Sequence, residues 1–180
     1  TGQAIANLYP LPNRSTPSAN YVSSPTESED IDHFDVRVNH NFENGATFST
    51  RYSFSDSRRF EPFPLSSQVR VPGYGTDIPR RGQNLAVSLA HALNPSLISE
   101  LRFGYTRVGI GVIHENQSSD INQAVGLPNL SAKPRDLGLS QITITGFSPL
   151  GDEFTSPQTS AADTFQILDT ITWATGRHLV

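Results

Sequence analysis

The sequence predicts an all-β protein: an antiparallel up-and-down meander that forms an open segment of a large transmembrane β-barrel. Three observations lead there. Several segments of about eleven residues alternate apolar and polar side chains with a period of two, the signature of a strand with two different faces. Their connections alternate between tight turns and long polar stretches, as periplasmic turns and outer loops do in outer-membrane barrels. No apolar run approaches the roughly 18 residues that a transmembrane helix needs.

Residues 1–30 carry Pro10, Pro12, Pro17 and Pro25 among Ser, Thr and Asn, then the acidic Glu27, Glu29 and Asp30. Nothing there is periodic, which predicts a loop. In 32–42 one parity reads Phe34, Val36, Val38, His40, Phe42 and the other His33, Asp35, Arg37, Asn39, Asn41. Glu43-Asn44-Gly45 then predicts a hairpin turn, because Asn and Gly both tolerate positive φ. Strand 46–56 alternates Phe48, Thr50, Tyr52, Phe54 with Thr47, Ser49, Arg51, Ser53, Ser55. Pairing across the turn sets Phe34 opposite Phe54, Val36 opposite Tyr52 and Val38 opposite Thr50, and such aromatic and β-branched pairs stabilise a sheet face. The same register sets Arg37 opposite Arg51, with Asp35 expected between the two guanidinium groups.

A second unit repeats the logic. Strand 83–93 presents Leu85, Val87, Leu89, His91 and Leu93 on one parity, Asn94-Pro95-Ser96 turns, and strand 97–107 presents Leu97, Ser99, Leu101, Phe103 and Tyr105. The expected pairs are Leu85 with Tyr105, Val87 with Phe103 and Leu89 with Leu101. A fifth strand, 163–173, places Phe165, Ile167, Ile171 and Trp173 on one parity, and Thr175-Gly176-Arg177-His178 turns into a sixth. The long connections 57–82 and 108–162 are the predicted outer loops, the second with a short strand at Gln141–Thr145.

Strands of this length match the ~9–11 residues that cross a bilayer when tilted, and exceed the ~5–6 usual in soluble proteins. Val36, Tyr52, Val87, Leu101 and Phe103 are expected toward lipid; Asp35, Arg37, Arg51, Ser88 and Arg102 toward the lumen. Phe34, Phe42, Phe54, Tyr105, Phe165 and Trp173 fall near the predicted strand ends, where interface aromatics belong. Asp169 breaks the pattern, since it shares the apolar parity of its strand, and a bulge near Leu168 would relieve it. His40 and His91 also share apolar parities, near the periplasmic ends.

Composition narrows the function classes. Cysteine is absent, so thiol and disulfide chemistry is excluded. The net charge is −4, with twelve Arg and Lys133 the only lysine, which gives no basic footprint for nucleic acid. A mean hydropathy of −0.35 is compatible with barrel strands, whose two faces average out. Methionine is absent and no basic-then-apolar leader opens the chain, so both ends are expected to be cuts.

No enzyme is expected. His33 and Asp35 share one strand face but lack a third ligand at suitable spacing for a metal. Glu27, Glu29, Asp30 and Asp32 form an acidic run expected to be solvated rather than to gather calcium. His114-Glu115 lacks the second His of a zinc-hydrolase helix and is expected in a loop. Gly73-Tyr74-Gly75 has no strand–helix context for a phosphate loop and is expected to be a flexible loop tip. No catalytic, cofactor-binding or metal-binding residue is assigned, and the substrate-binding residues stay undetermined.

Asn7-Leu8-Tyr9-Pro10-Leu11-Pro12-Asn13, Phe34-Asp35-Val36-Arg37-Val38-Asn39-His40-Asn41-Phe42 and Arg51-Tyr52-Ser53 resemble TonB-dependent receptors with a carboxypeptidase-regulatory-like N-terminal domain, abundant in acidobacteria. So do Ser99-Glu100-Leu101-Arg102-Phe103-Gly104-Tyr105-Thr106-Arg107, Gly146-Phe147-Ser148-Pro149-Leu150-Gly151 and Trp173-Ala174-Thr175-Gly176-Arg177-His178. The resemblance spans nearly the whole chain in order. It implies a bacterial outer-membrane barrel of about 22 strands with an N-terminal plug, importing a bulky nutrient with energy delivered by the TonB complex. Plug, TonB box and regulatory-like domain would lie outside these residues. The matching motifs are strand and turn motifs, so they carry no ligand or catalytic residue across. The implied partners are outer-membrane lipid, TonB and an unidentified cargo. A structural or adhesive barrel whose long loops bind a ligand or surface is the alternative.

Overall fold

The computed structural model describes residues 1–64 and 67–180; Leu65 and Ser66, inside the predicted loop 57–82, lie outside the described residues. Six strands form one sheet in sequence order: β1 (Ser28–Asn41), β2 (Thr47–Glu61), β3 (Thr76–Asn94), β4 (Leu97–His114), β5 (Gln158–Thr175) and the short β6 (His178–Leu179). This is the open antiparallel meander that the alternation predicts. Among the described residues no helix is long and apolar enough to cross a membrane.

The first two tight turns share one piece of chemistry. At the first, the Phe42 amide donates to the Ala46 carbonyl at 2.8 Å, closing the hairpin. Gly45 alone takes the positive φ, +80°; Asn44 serves instead through its side chain, whose Oδ1 accepts from the Ala46 amide at 3.1 Å. Asn94 does the same for the Ser96 amide at 2.9 Å. Both are Asx turns, in which a short side chain replaces a backbone acceptor. The register of β1 and β2 follows the expected pairing: Phe34 stacks on Phe54 at 5.2 Å, and Ser49 donates to Asn39 at 2.8 Å on the other face.

Every strand but the last runs past its predicted limit at the end away from the tight turns. β1 to β5 hold 14, 15, 19, 18 and 18 residues. The predicted loops 57–82 and 108–162 therefore shrink to 62–75 and 115–157. In β2 and β3 the extensions have no consistent apolar face to betray them, whereas the β4 extension does alternate, Val108, Ile110 and Val112 against Gly109 and Gly111. Charged pairs line the β2 and β3 extensions instead: Arg58 with Asp77 at 2.7 Å, and Arg59 with Glu27 at 2.6 Å and Glu61 at 3.1 Å. Backbone pairing continues wherever neighbouring strands remain side by side, whatever the hydropathy of the side chains.

The chain clusters into two compact units. One, the sheet unit, comprises Ile31–Ser57, Arg80–Ile110 and Ser160–Val180; the other, the loop unit, comprises Thr1–Asp30, Arg58–Pro79 and Gly111–Thr159. The loop unit has a core of its own, built from Val69, Val71, Tyr74, Val125, Leu139 and Leu150, with Ile5, Leu8, Tyr9 and Ile121 packed against it. Residues 1–30 are thus not wholly irregular. Gly2–Ala6 forms a short helix, α1, which brings Ile5 toward this core, and β1 takes in Ser28, Glu29 and Asp30. A single helical turn, α2 (Ile121–Ala124), is capped by the Asp120 carboxylate, which accepts from the Gln123 amide at 3.1 Å.

Two more expectations for the long connections are corrected. The short strand at Gln141–Thr145 reduces to one bridge, Ile142 with Leu150, held by amide–carbonyl bonds of 2.8 and 3.0 Å. Gly73-Tyr74-Gly75 is a packed segment and not a flexible tip, since Tyr74 is 7 % exposed. Gly75 is required there because a Cβ would stand 2.7 Å from the Phe60 ring and 2.9 Å from the Glu61 carbonyl.

Candidate functional site

In the sheet unit the apolar parity carries Phe34, Val36 and Val38 of β1 with Phe42 just past its end, Leu89 and Leu93 of β3, Leu101 of β4, and Phe165, Ile167, Ile171 and Trp173 of β5, all open to the surroundings. On each strand the apolar stretch covers about nine residues, for example Phe34 to Phe42 and Leu85 to Leu93. Nine residues rise about 30 Å along a strand, or about 20–25 Å of height at a tilt of 35–45°. That matches the apolar band of an outer-membrane barrel, about 25 Å tall.

One border of the band is marked on the same parity by polar groups. Arg81 pairs with Asp56 at 2.9 Å and lies 5.6 Å from the Phe54 ring centre. Gln83 donates to the Tyr52 hydroxyl at 2.9 Å, and the Tyr105 hydroxyl donates to Asp163 at 2.7 Å. Tyr105 and Phe165 meet at 4.9 Å. The aromatics Phe34, Phe54, Tyr105 and Phe165 therefore sit at the edge of the apolar band, and not at the strand ends where the shorter predicted strands put them. A ring with an apolar body and a polar tip is stable at such a border.

The opposite parity is polar. A shallow cavity of about 390 Å³ opens there, lined by Arg37, Arg51, Ser88, Arg102, Gln166 and Leu168 among others, with Val87 and Phe103 also bordering it. Asp35 accepts from Arg51 at 2.8 Å and from the Ser53 hydroxyl, and lies 3.1 Å from His33 Nε2. It does not bridge two arginines as expected. Arg37 donates to Asn39 at 3.1 Å, so the opposed guanidinium groups are drawn to different acceptors and their repulsion is relieved. With Asp35 committed to Arg51 and Ser53, the His33–Asp35 pair gains no third ligand, and no group of three His, Cys, Asp or Glu among the described residues is placed to hold a metal ion.

Asp169 keeps its awkward parity. Gly104 faces Gln166 and the Ala174 amide donates to the Ser96 carbonyl at 2.8 Å, so eight residues separate the two contacts on both strands (96 to 104, 166 to 174). No bulge is inserted near Leu168. Asp169 is exposed on β5.

The acidic run is split up: Glu27 pairs with Arg59, whereas Glu29, Asp30 and Asp32 lie along β1, where Glu29 takes the face opposite to Asp30 and Asp32. His114 is the last residue of β4 and 4 % exposed, not part of a loop. It is held there because Glu115, next along, pairs with Gly75 through both its amide and its carboxylate, each at 2.9 Å. His114 Nδ1 faces Asp152 Oδ1 at 3.7 Å. Asp152 accepts from the Leu139 amide at 2.7 Å and from Asn116 at 2.9 Å, yet burial pushes its carboxyl above the usual range. Asp152 was invisible in the sequence because nothing periodic surrounds it; the Gly151-Asp152-Glu153-Phe154 run was its only local signal.

Burial, with the nearby Asp152 carboxylate, pushes the Tyr74 hydroxyl up to about 12. Its folded value lies above the unfolded one, so its contribution is fully present below pH 10 and is lost as pH rises toward 12. The loss should amount to roughly 2–3 kcal/mol over those two units. Tyr74→Phe is expected to flatten the alkaline limb of an unfolding-against-pH curve; an unchanged limb would show that the Tyr74 hydroxyl ionises freely.

Compared with known families, the whole chain, residues 1–180, matches the family model described as an outer membrane beta barrel domain. Neither a curated protein nor a solved structure matches it.

Proposed function

The chain belongs to the outer membrane β-barrel domain family and is placed by it in the bacterial outer membrane, and from that premise we propose that it is part of the wall of a TonB-dependent transporter importing a bulky nutrient. The observation that carries the proposal is the pairing of an apolar band with an arginine-bearing opposite face. Arg37, Arg51 and Arg102 share a cavity on one side of the sheet, while Phe34, Val36, Leu101 and Ile167 occupy the other. Charge on the inner wall suits a wide, hydrated interior, and lipid is the partner of the apolar band. TonB would act through parts of the protein beyond these residues. In this reading the chain performs no covalent chemistry and needs no cofactor.

A structural or adhesive barrel is the second reading, favoured by the independent core of the loop unit, which could hold a ligand without passing it on. Uptake separates the two. Cells carrying the protein should accumulate its cargo only with TonB present and the proton-motive force intact. Cargo bound at the surface but never accumulated would refute import and support adhesion.

A further inference from the structure

The loop unit contains a cavity of about 350 Å³ lined by His114, Asn122, Gln141, Asp152, Glu153 and Ser156, with Phe154 beside them. Its size suits a small molecule. Three of its lining residues each carry a buried side-chain atom with no hydrogen-bond partner among the described residues: His114 Nδ1, Glu153 Oε2 and Ser156 Oγ. Buried polar groups are nearly always partnered, so three orphans on one cavity indicate that a ligand completes them.

Charge selects the class of ligand. Asp136, Asp152 and Glu153 line the cavity, and no Lys or Arg does. Asp136 lies 3.3 Å from Arg135 and accepts from the Ser131 hydroxyl. Asp152 has its amide donors. Glu153, 4 % exposed, has only the Thr155 hydroxyl, which donates to its Oε1 at 3.2 Å. A buried carboxylate with a free oxygen calls for a cation that also donates hydrogen bonds. An anion would be repelled, and a neutral polyol would leave the charge of Glu153 uncompensated. A metal ion lacks its ligand set, as no suitable group of three is present among the described residues. Phe154 is 76 % exposed, and its ring beside a carboxylate is a second attraction for an organic cation.

We propose that this cavity binds a small organic cation through a primary ammonium group, with Glu153 Oε2 and Ser156 Oγ accepting its N–H bonds and Phe154 packing against its carbon skeleton. The binding concerns the loop unit alone and goes beyond the import reading: an ammonium compound that binds without being taken up would leave this site intact while removing import.

The test is titration calorimetry on the full-length protein in detergent, with n-butylammonium as the probe. Saturable binding is expected, weakened roughly tenfold or more in Glu153→Gln, because a hydrogen bond to a charged partner is lost. n-Butanol, with the same skeleton and no charge, should bind at least about tenfold more weakly, as should tetramethylammonium, which has no N–H to donate. Phe154→Ala, at an exposed position that folding does not depend on, should weaken binding about two- to fivefold. It also serves if Glu153→Gln fails to fold. Equal binding of n-butanol and n-butylammonium, unchanged binding in Glu153→Gln, or saturation by calcium in place of the ammonium would each overturn the proposal.

Discussion

Val87→Arg in the full-length protein is expected to lower stability by roughly 2–4 kcal/mol, the penalty for a guanidinium facing lipid near the middle of the bilayer. Ser88→Arg, one residue on, should be far milder. Val87 lies within the apolar stretch Leu85–Leu93 of β3, and its side chain shares the parity of Leu85 and Leu89. Ser88 shares the opposite parity and lines the polar cavity with Arg37, Arg51 and Arg102. An arginine there meets water and the neighbouring Glu100 carboxylate, which already pairs with Arg102 at 2.7 Å. Adjacent residues on a strand point to opposite faces, so the two substitutions sample two solvents at nearly the same depth. Urea unfolding from liposomes would measure both; equal losses would show that the faces are misassigned.

Leu150→Ala should cost about 2–5 kcal/mol, the usual range for emptying a fully buried leucine site. Leu150 is 0 % exposed and packs in the core with Val69, Val71, Tyr74, Val125 and Leu139. Its backbone also makes the bridge to Ile142. The surroundings cannot readily collapse into the space: Gly151 next to it holds φ at +107°, with the Ser140 carbonyl 2.5 Å from where a Cβ would stand. Hydrogen exchange offers the readout. The amides of Ile142, Leu150 and Asp152, bonded to the carbonyls of Leu150, Ile142 and Leu139, should lose protection in the variant. Undiminished protection would mean that the long connections do not fold around this leucine.

The two experiments probe regions that differ in how openly the sequence displays them. Phe34, Phe54, Val87 and Phe103 could be assigned to a face from their neighbours alone, because a strand turns successive side chains to opposite sides and a two-solvent environment writes that period into the residues. The turns were as legible, since Asn44-Gly45 and Asn94-Pro95 close hairpins by interactions within a few residues. Together they set the register, and the Phe34–Phe54 stack follows from it. The strand ends were not legible. Beyond Asp56 and before Arg81 neither parity stays apolar, so β2 and β3 continue on backbone bonds and on pairs such as Arg58–Asp77 that no hydropathy period records.

The amino-acid sequence by itself thus determined the two faces of the sheet, its strand order and its tight turns, all of which arise from local backbone geometry and short-range pairing. Only the tertiary structure decided the loop unit. Tyr9 donates to the Ser148 carbonyl at 2.8 Å across 139 positions, and Val69 shares a core with Leu139. Glu153 and His114 reach one cavity from 39 positions apart (153 − 114). Contacts of that range leave no period in the chain, because each residue answers to a neighbour that the backbone brings near only once it has folded.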